Sequence, residues 1–317
     1  MSFINNIINF SSKDESHLKV TLFCFIKFSI LKKDLRKRLS DLKNQFEYYK
    51  KNNIDITTYP KATGDVRRLQ LAQLELLKEV DYVCRKHNLD YWIDFGTLLG
   101  AVRHKGFIPW DDDVDIGMPR EDYDKFIELF NSTTRNKNFC AKYYRTSTKA
   151  LNCFIRVKCN DFPLNLDVFP YDFYTTNLKN EEKIELTKKI KSLREEKINK
   201  IVQEHGLSNE EILKKINNLR MEVLDNKIYY KESKNDLVWG LDFYHLWKNW
   251  VCSYDTIYPI QDIEFENCIF KTINKRHEYL KQVYGNYMAY PKSANHFHTM
   301  YTLSKKQLDE IYNLLNK

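Results

Sequence analysis

The sequence predicts an α/β (α+β) protein: a mixed sheet flanked by helices, with a helical insertion and a C-terminal helical region. Three observations predict it. Between about residues 65 and 174, helix-patterned and strand-patterned stretches succeed one another. The composition, 43% hydrophobic and 30% charged, is that of an ordinary globular chain, and 317 residues suffice for one large domain or two modest ones. Gly and Pro are scarce, 8 and 7 residues, so long flexible linkers are not expected.

Residues 1–60 read as an N-terminal extension. The apolar stretch "VTLFCFIKFSIL" contains Lys27 and falls short of the ~20 residues that span a bilayer. Acids precede it and no small-residue cleavage site follows, so it is not read as a signal peptide. A hairpin or packed strand fits it, with an amphipathic membrane-surface segment as the alternative. Leu31, Leu35, Leu39, Leu42, Phe46 and Tyr49 then recur at helical spacing with basic faces around them. They suit a helix docked on the core or, alternatively, one facing a membrane or partner.

Residues 61–178 form the predicted catalytic core. A helix runs from about Asp65 to His87. "DYWIDFG" reads as a strand closed by Gly96, and "TLLGAVRHKG" as a short helix starting immediately after it. "WDDDVDIGM" reads as a strand entered at about Asp111, and Pro119 opens the helix "REDYDKFIELF". "FCAKYYRT", "FIRVKC" and "LNLDVFPYDFY" read as further strands. Residues 179–236 form a charged helical hairpin broken at "HGLSNEE", where Ser208 and Glu211 make a capping box. Residues 237–317 are an aromatic-rich region of loop and helix completing the substrate site. Its last helix is capped by Ser304, with Gln307 three residues on.

The chemistry is concentrated at "PWDDDVDIGM". Alternate residues of a strand share a face, so Asp111, Asp113 and Asp115 point one way and Val114 and Ile116 the other. Asp112 falls on the apolar side and is given a supporting or solvent role. Like charges on one face are destabilising unless a cation offsets them, and Mg²⁺ (or Mn²⁺) takes such oxygen ligands together with substrate phosphates. Asp167, an acid in the apolar strand "LNLDVFPYD", supplies the carboxylate from a second strand; Asp172 and Asp161 are weaker candidates. The metal set is therefore Asp111, Asp113, Asp115 and Asp167, with Asp113, Asp115 and Asp167 catalytic.

Gly96 and Thr97 stand where a helix N-terminus presents unpaired N–H groups to a phosphate. Arg103, at that helix's far end, is assigned a ligand contact. Arg156 and Lys158 alternate on one strand and face either the phosphates or solvent. The formal charge of +8 suits an anionic partner without choosing among nucleotide, glycan phosphate and membrane. Seven scattered Cys show no CxxC and no zinc spacing, which fits a reducing cytoplasm.

"YWIDFGTLLGAVRHKGFIPWDDDVDIGMPREDYDKF", followed in order by "LDVFPYD" and "YLKQVYGNYMAYP", resembles the LicD family, which includes the fukutin-related proteins. The resemblance implies a nucleotidyltransferase-like fold and a metal-dependent phosphotransferase. Such an enzyme uses a CDP-activated alcohol as donor, most specifically CDP-choline, and a bacterial surface glycan or lipid-linked glycan as acceptor. It also implies that the motif's metal ligands fall on Asp111, Asp113, Asp115 and Asp167, and its phosphate turn on Gly96 and Thr97. A cytoplasmic enzyme with peripheral contact at the inner membrane face and no nucleic-acid partner is expected. A choline cargo would need an aromatic cage, for which Trp239, Tyr244, Trp247, Trp250 and Tyr284 are candidates. The alternative is a nucleotidyltransferase that attaches NMP to an acceptor and releases pyrophosphate; a non-catalytic glycan- or nucleic-acid-binding protein using its basic surface is a third reading.

Overall fold

The computed structural model describes residues 8–14, 17–22, 55–145, 153–174, 194–204, 206–223, 228–229, 236–240, 251–291 and 303–315, with scattered positions between 179 and 192. The stripe from Leu31 to Tyr49 and the candidate cage residues Tyr244, Trp247 and Trp250 lie outside the described residues. The chain divides into two compact units, Met1–Ile56 with Ala289–Lys292, and Thr57–Met288 with Ser293–Lys317. In the first, β1 (Ile8–Asp14) and β2 (His17–Leu22) form an antiparallel hairpin in which Ile8 pairs with Leu22.

The second unit is built on a mixed sheet. Its central run is β3 (Trp92–Ile93), β4 (Val114–Pro119), β7 (Asn165–Tyr174), β6 (Cys153–Cys159) and β5 (Phe139–Arg145). β4 and β7 are parallel; the other neighbours in the run are antiparallel. The C-terminal half of β7 also pairs with β8 (Ile228–Tyr229) and β9 (Leu237–Trp239), and β9 pairs with β10 (Val251–Cys252).

One face of this sheet is apolar. Val114, Ile116 and Met118 of β4, Leu166 and Val168 of β7, and Ile155 and Val157 of β6 are all fully buried. They lie beneath α1 (Gly64–His87) and α3 (Arg120–Thr133). α1 buries Leu69, Leu76, Leu77, Val80 and Val83 at helical spacing and ends where Asn88 turns left-handed, φ 54°. The opposite face bears the acids, beside α2 (Phe95–His104).

In the insertion, α4 (Asn199–Gln203) and α5 (Asn209–Val223) pack through a small cluster of Ile198, Val202, Ile212 and Ile216. The break between them carries the predicted capping box: Ser208 N–H donates to Glu211 Oε2 at 2.8 Å and Glu211 N–H donates back to Ser208 Oγ at 3.2 Å. Ser304 and Gln307 make the same exchange before α8 (Lys305–Leu315), which follows α6 (Tyr254–Ile257) and α7 (Arg276–Tyr284).

The C-terminal region, read from sequence as loop and helix, holds the short strands β9 and β10 and also a hairpin. β11 (Gln261–Phe265) and β12 (Cys268–Thr272) form a hairpin whose two turn residues, Glu266 and Asn267, have φ of 52° and 60°. A two-residue turn of this hand is normally announced by Gly, and here Asn alone signals it. Among the described residues no helix is long and apolar enough to cross a membrane.

Candidate active site

The acid motif is a loop leading into a strand, a correction to the all-strand reading. Regular β structure begins at Val114; Pro109 and Trp110 form a turn, Asp111 is an isolated bridge, and Asp112 and Asp113 lead irregularly into the strand. α1 holds that loop through its backbone: buried Gln70 donates to the Ile108 and Asp111 carbonyls at 3.1 and 2.9 Å, and buried Gln73 to the Asp112 carbonyl at 3.1 Å. Asp112 is fully buried, which rules out the solvent role given to it; its N–H donates to Asp111 Oδ1.

Asp115 and Asp167 are register partners in the parallel ladder of β4 and β7, so both side chains stand on the same face of adjacent strands. The row continues: Asp167 pairs with Arg156 of β6, and Arg156 with Lys142 of β5. Two acids and two bases therefore lie side by side across four strands. Burial, then the charges of Asp113, Asp167, Asp111 and Asp94, hold the Asp115 carboxyl well above the usual carboxylate range. Asp111 is raised likewise, by burial, then Asp113 and Asp112. These are acids whose negative charge is poorly offset by the protein.

The sequence reading overlooked Asp94. It caps α2, accepting from Phe95 N–H at 2.8 Å, so the helix starts one residue before the predicted glycine. Asp94 is fully buried and also accepts from the hydroxyls of Tyr171 and Tyr279, tying β7 and α7 together beneath the acids. Burial raises its pKa against these lowering hydrogen bonds. An Asp directly before an apolar helical stretch was the signal available for it. Phe95 follows at φ 40°, a conformation that costs a bulky residue energy and is retained where packing enforces it. Here Phe169 and Trp239 pack edge-on to its ring at 5.4 Å each.

Two predicted phosphate-turn residues have other immediate partners. A Cβ on Gly96 would lie 2.9 Å from Asp111 Oδ2, so the missing side chain admits a carboxylate of the protein itself. Thr97 Oγ1 accepts the Asp115 N–H at 2.9 Å, while Asp94 N–H donates to the Asp115 carbonyl, also at 2.9 Å. The start of α2 thus fixes the backbone of Asp115 from both sides.

Arg103 is buried, and burial lowers its pKa to about 10 against the opposing influence of Tyr284 and Tyr287. Tyr284 lies at the acids: burial, then Asp115, Asp94, Asp111 and Asp113, raise its hydroxyl, although the residue is 37% exposed. Arg156 does not face an open phosphate site; it forks Asp167, with Nε to Oδ1 at 2.6 Å and Nη2 to Oδ2 at 2.8 Å. Lys158, two residues along β6, is half-buried and pairs in register with Asn165. Trp239 is buried with its ring packed edge-on to Phe169 and Phe95, a closed cluster and not an open cage. Asp172 is removed from the ligand candidates, since Arg120 forks it at 2.9 and 3.1 Å within the core. Asp161 sits in an exposed bend and accepts from Asn138.

A carboxylate outside the motif secures the acid loop. Glu266, in the hairpin turn, receives Lys61 at 2.8 Å, both Arg67 terminal nitrogens at 2.9 and 2.6 Å, and the Phe107 N–H at 3.1 Å. Gly106 makes room for it: a Cβ there would lie 2.2 Å from Glu266 Oε1. Burial pushes the Glu266 carboxyl up, but Arg67, Lys61 and the Phe107 N–H prevail and lower it from 4.5 to about 2. At ~1.4 kcal/mol per unit, this linkage contributes on the order of 3 kcal/mol at neutral pH. With a depressed folded-state pKa, the contribution is complete above pH 4.5 and disappears as pH falls through about 2. Glu266→Gln is expected to lower the urea midpoint at pH 7 and to flatten the acid limb of stability; an unchanged limb would refute the assignment.

A mixed sheet with register-matched carboxylates on a parallel strand pair, and further acids on the loop before it, fits the nucleotidyltransferase-like fold expected from the sequence. The comparisons name its kind. Residues 88–203 match the LicD family, described as LicD/FKTN/FKRP, nucleotidyltransferase domain. Residues 88–203 are thus a LicD-type domain, and the similarity to a relative over most of the chain supports a LicD-type phosphotransferase. The chain is 29% identical over 248 residues to the lipopolysaccharide cholinephosphotransferase LicD of Haemophilus influenzae, covering 71% of this chain and 92% of that one. An uncharacterised Rickettsia typhi protein is 36% identical over 112 residues, which is 34% of this chain and 36% of its own. Human ribitol 5-phosphate transferase FKRP is 59% identical over 32 residues, 10% of this chain and 6% of its own.

Proposed function

We propose that the protein transfers a phospho-alcohol group, phosphocholine from CDP-choline in the most specific form of the reading, to a hydroxyl of a bacterial surface glycan, releasing CMP. The observation that carries it is the register pair Asp115–Asp167, with Asp111 and Asp113 within electrostatic reach. The donor set fits Mg²⁺ or Mn²⁺: hard carboxylate oxygens whose charge the protein itself offsets poorly. Among the described residues no three His, Cys, Asp or Glu side chains close into a ready-made cage, which is compatible with a cation that keeps waters and substrate phosphate as ligands. Asp113, Asp115 and Asp167 would hold it, with Asp111 beside them. A bound Mg²⁺ supplies Lewis-acid neutralisation of the donor's phosphate oxygens.

The acceptor hydroxyl attacks the substituted phosphate in line; its oxygen–phosphorus bond forms as the bond to CMP breaks. Asp167 orients that hydroxyl and takes up its proton. Asp94, Thr97 and the start of α2 keep Asp115 in place, and Arg103 with Tyr284 lines the side of the site nearest α7. The acceptor is a glycan or lipid-linked glycan reached from the cytoplasmic side, with peripheral membrane contact. The support for the cargo is the cholinephosphotransferase named among the relatives.

Purified protein with Mg²⁺ is incubated with CDP-choline, CDP-ethanolamine, CDP-glycerol or CDP-ribitol plus candidate glycans, and CMP is scored. CMP release that requires both a CDP-alcohol and a glycan is the expected result. Consumption of NTP with pyrophosphate release would replace it with nucleotidyl transfer, and release from another CDP-alcohol would change the cargo.

A further inference from the structure

In the row across β4, β7, β6 and β5, Asp167 stands between the carboxylate of Asp115 and the guanidinium of Arg156. Arg156 engages both Asp167 oxygens, at 2.6 and 2.8 Å, and neither partner is deeply buried, with side-chain exposures of 21% and 20%. The guanidinium carbon also lies 3.8 Å from the centroid of the Tyr144 ring and 5.4 Å from that of Phe154. Arg156 therefore has two attachments, an ion pair on one side and a stack on the other. Lys142 is next to it in the row.

A small divalent cation demands near-ideal ligand geometry, and a carboxylate with both oxygens forked by arginine offers it poorly. A guanidinium and a divalent cation on one carboxylate also repel each other. At a few ångströms that repulsion is several times what a part-exposed ion pair contributes. The fork is the weaker of the two and opens. The Tyr144 stack does not depend on Asp167, so the arginine keeps its place at the site's edge. Its planar fork then suits a phosphate, with Lys142 alongside.

We propose that Arg156 is an exchangeable counter-ion: it holds Asp167 while the site lacks its cation, surrenders that carboxylate when a divalent cation binds, and passes to the phosphates of the arriving nucleotide while still stacked on Tyr144. This rests on the metal-dependent reading above and adds a positioning role to it. Cation and donor then bind as a coupled pair, each lowering the cost of the other.

The test measures Mn²⁺ binding by electron paramagnetic resonance, and CDP binding by calorimetry, on the full chain. Arg156→Met is expected to bind Mn²⁺ alone about five- to tenfold more tightly than the unmodified protein, and CDP in the presence of saturating Mn²⁺ about tenfold more weakly. Arg156→Lys, which keeps the charge and loses the fork, is expected to fall between them. Tyr144→Leu, at a residue 37% exposed, is expected to weaken CDP binding and leave Mn²⁺ binding unchanged. Equal or weaker Mn²⁺ binding by Arg156→Met would overturn the exchange and make Arg156 a permanent support of Asp167, leaving the metal reading intact. If the unmodified protein binds no Mn²⁺, or binds it as well after Asp113→Asn, the metal reading falls and the exchange with it.

Discussion

Asparagine at position 115 is expected to abolish transfer, by about a thousandfold or more, while raising the melting temperature of the metal-free protein. The two effects share one cause. The Asp115 carboxylate is held among Asp113, Asp167, Asp111 and Asp94 in a buried setting that disfavours its charge. Removing the charge relieves that repulsion, a gain on the order of 1 kcal/mol and so about 1–2 °C for a chain of this size. It also removes a central ligand for the cation that offsets charge on the transferring phosphate, where a single lost stabilising group costs about 10²–10³ in rate. Thermal melts with and without Mg²⁺ separate the parts. Mg²⁺ in excess should stabilise the unmodified protein through binding linkage and leave Asp115→Asn where it was. An Asp115→Asn protein that still releases CMP at the normal rate, or that melts lower, would contradict this account of the acids.

Alanine at position 172 is expected to cost about 3–5 kcal/mol of stability, because it strips the buried Arg120 guanidinium of its carboxylate. Arg120 and Asp172 are 5% and 1% exposed, and Arg120 lies over the Tyr123 ring at 5.2 Å. The loss belongs to folding and not to chemistry, since Asp172 is five residues from Asp167 along β7 and faces the other side of the sheet. Urea denaturation should show the drop for Asp172→Ala. The double replacement Arg120→Leu with Asp172→Leu should recover most of it, because two apolar side chains leave no buried charge behind. A double variant as unstable as Asp172→Ala would mean that Arg120 is required for more than this pair.

The local elements were legible because their signals are local. The apolar period of Gly64–His87, the alternation in Cys153–Cys159 and Asn165–Tyr174, and the capping boxes at Ser208 and Ser304 each span a few neighbouring residues. The acid motif was legible as chemistry for the same reason. The β11–β12 hairpin was not, because its Glu266–Asn267 turn lacks the glycine that usually marks that backbone. Nor were the partners of Gly96 and Thr97: the groups that meet them, Asp111 Oδ2 and Asp115 N–H, arrive from 15 and 18 residues away.

By itself, then, the sequence determined the succession of helices and strands, the presence of a carboxylate-rich loop ahead of a strand, and a second acid in a strand some fifty residues on. Tertiary structure alone decided that Asp115, Asp167, Arg156 and Lys142 fall into one row, that Glu266 reaches back some 200 residues to Lys61 and Arg67, and that Asp94 gathers two tyrosine hydroxyls beneath the acids. The reason is physical. Backbone preference and side-chain period act over one or two turns of chain, whereas strand register and buried ion pairs are set by which distant surfaces pack together.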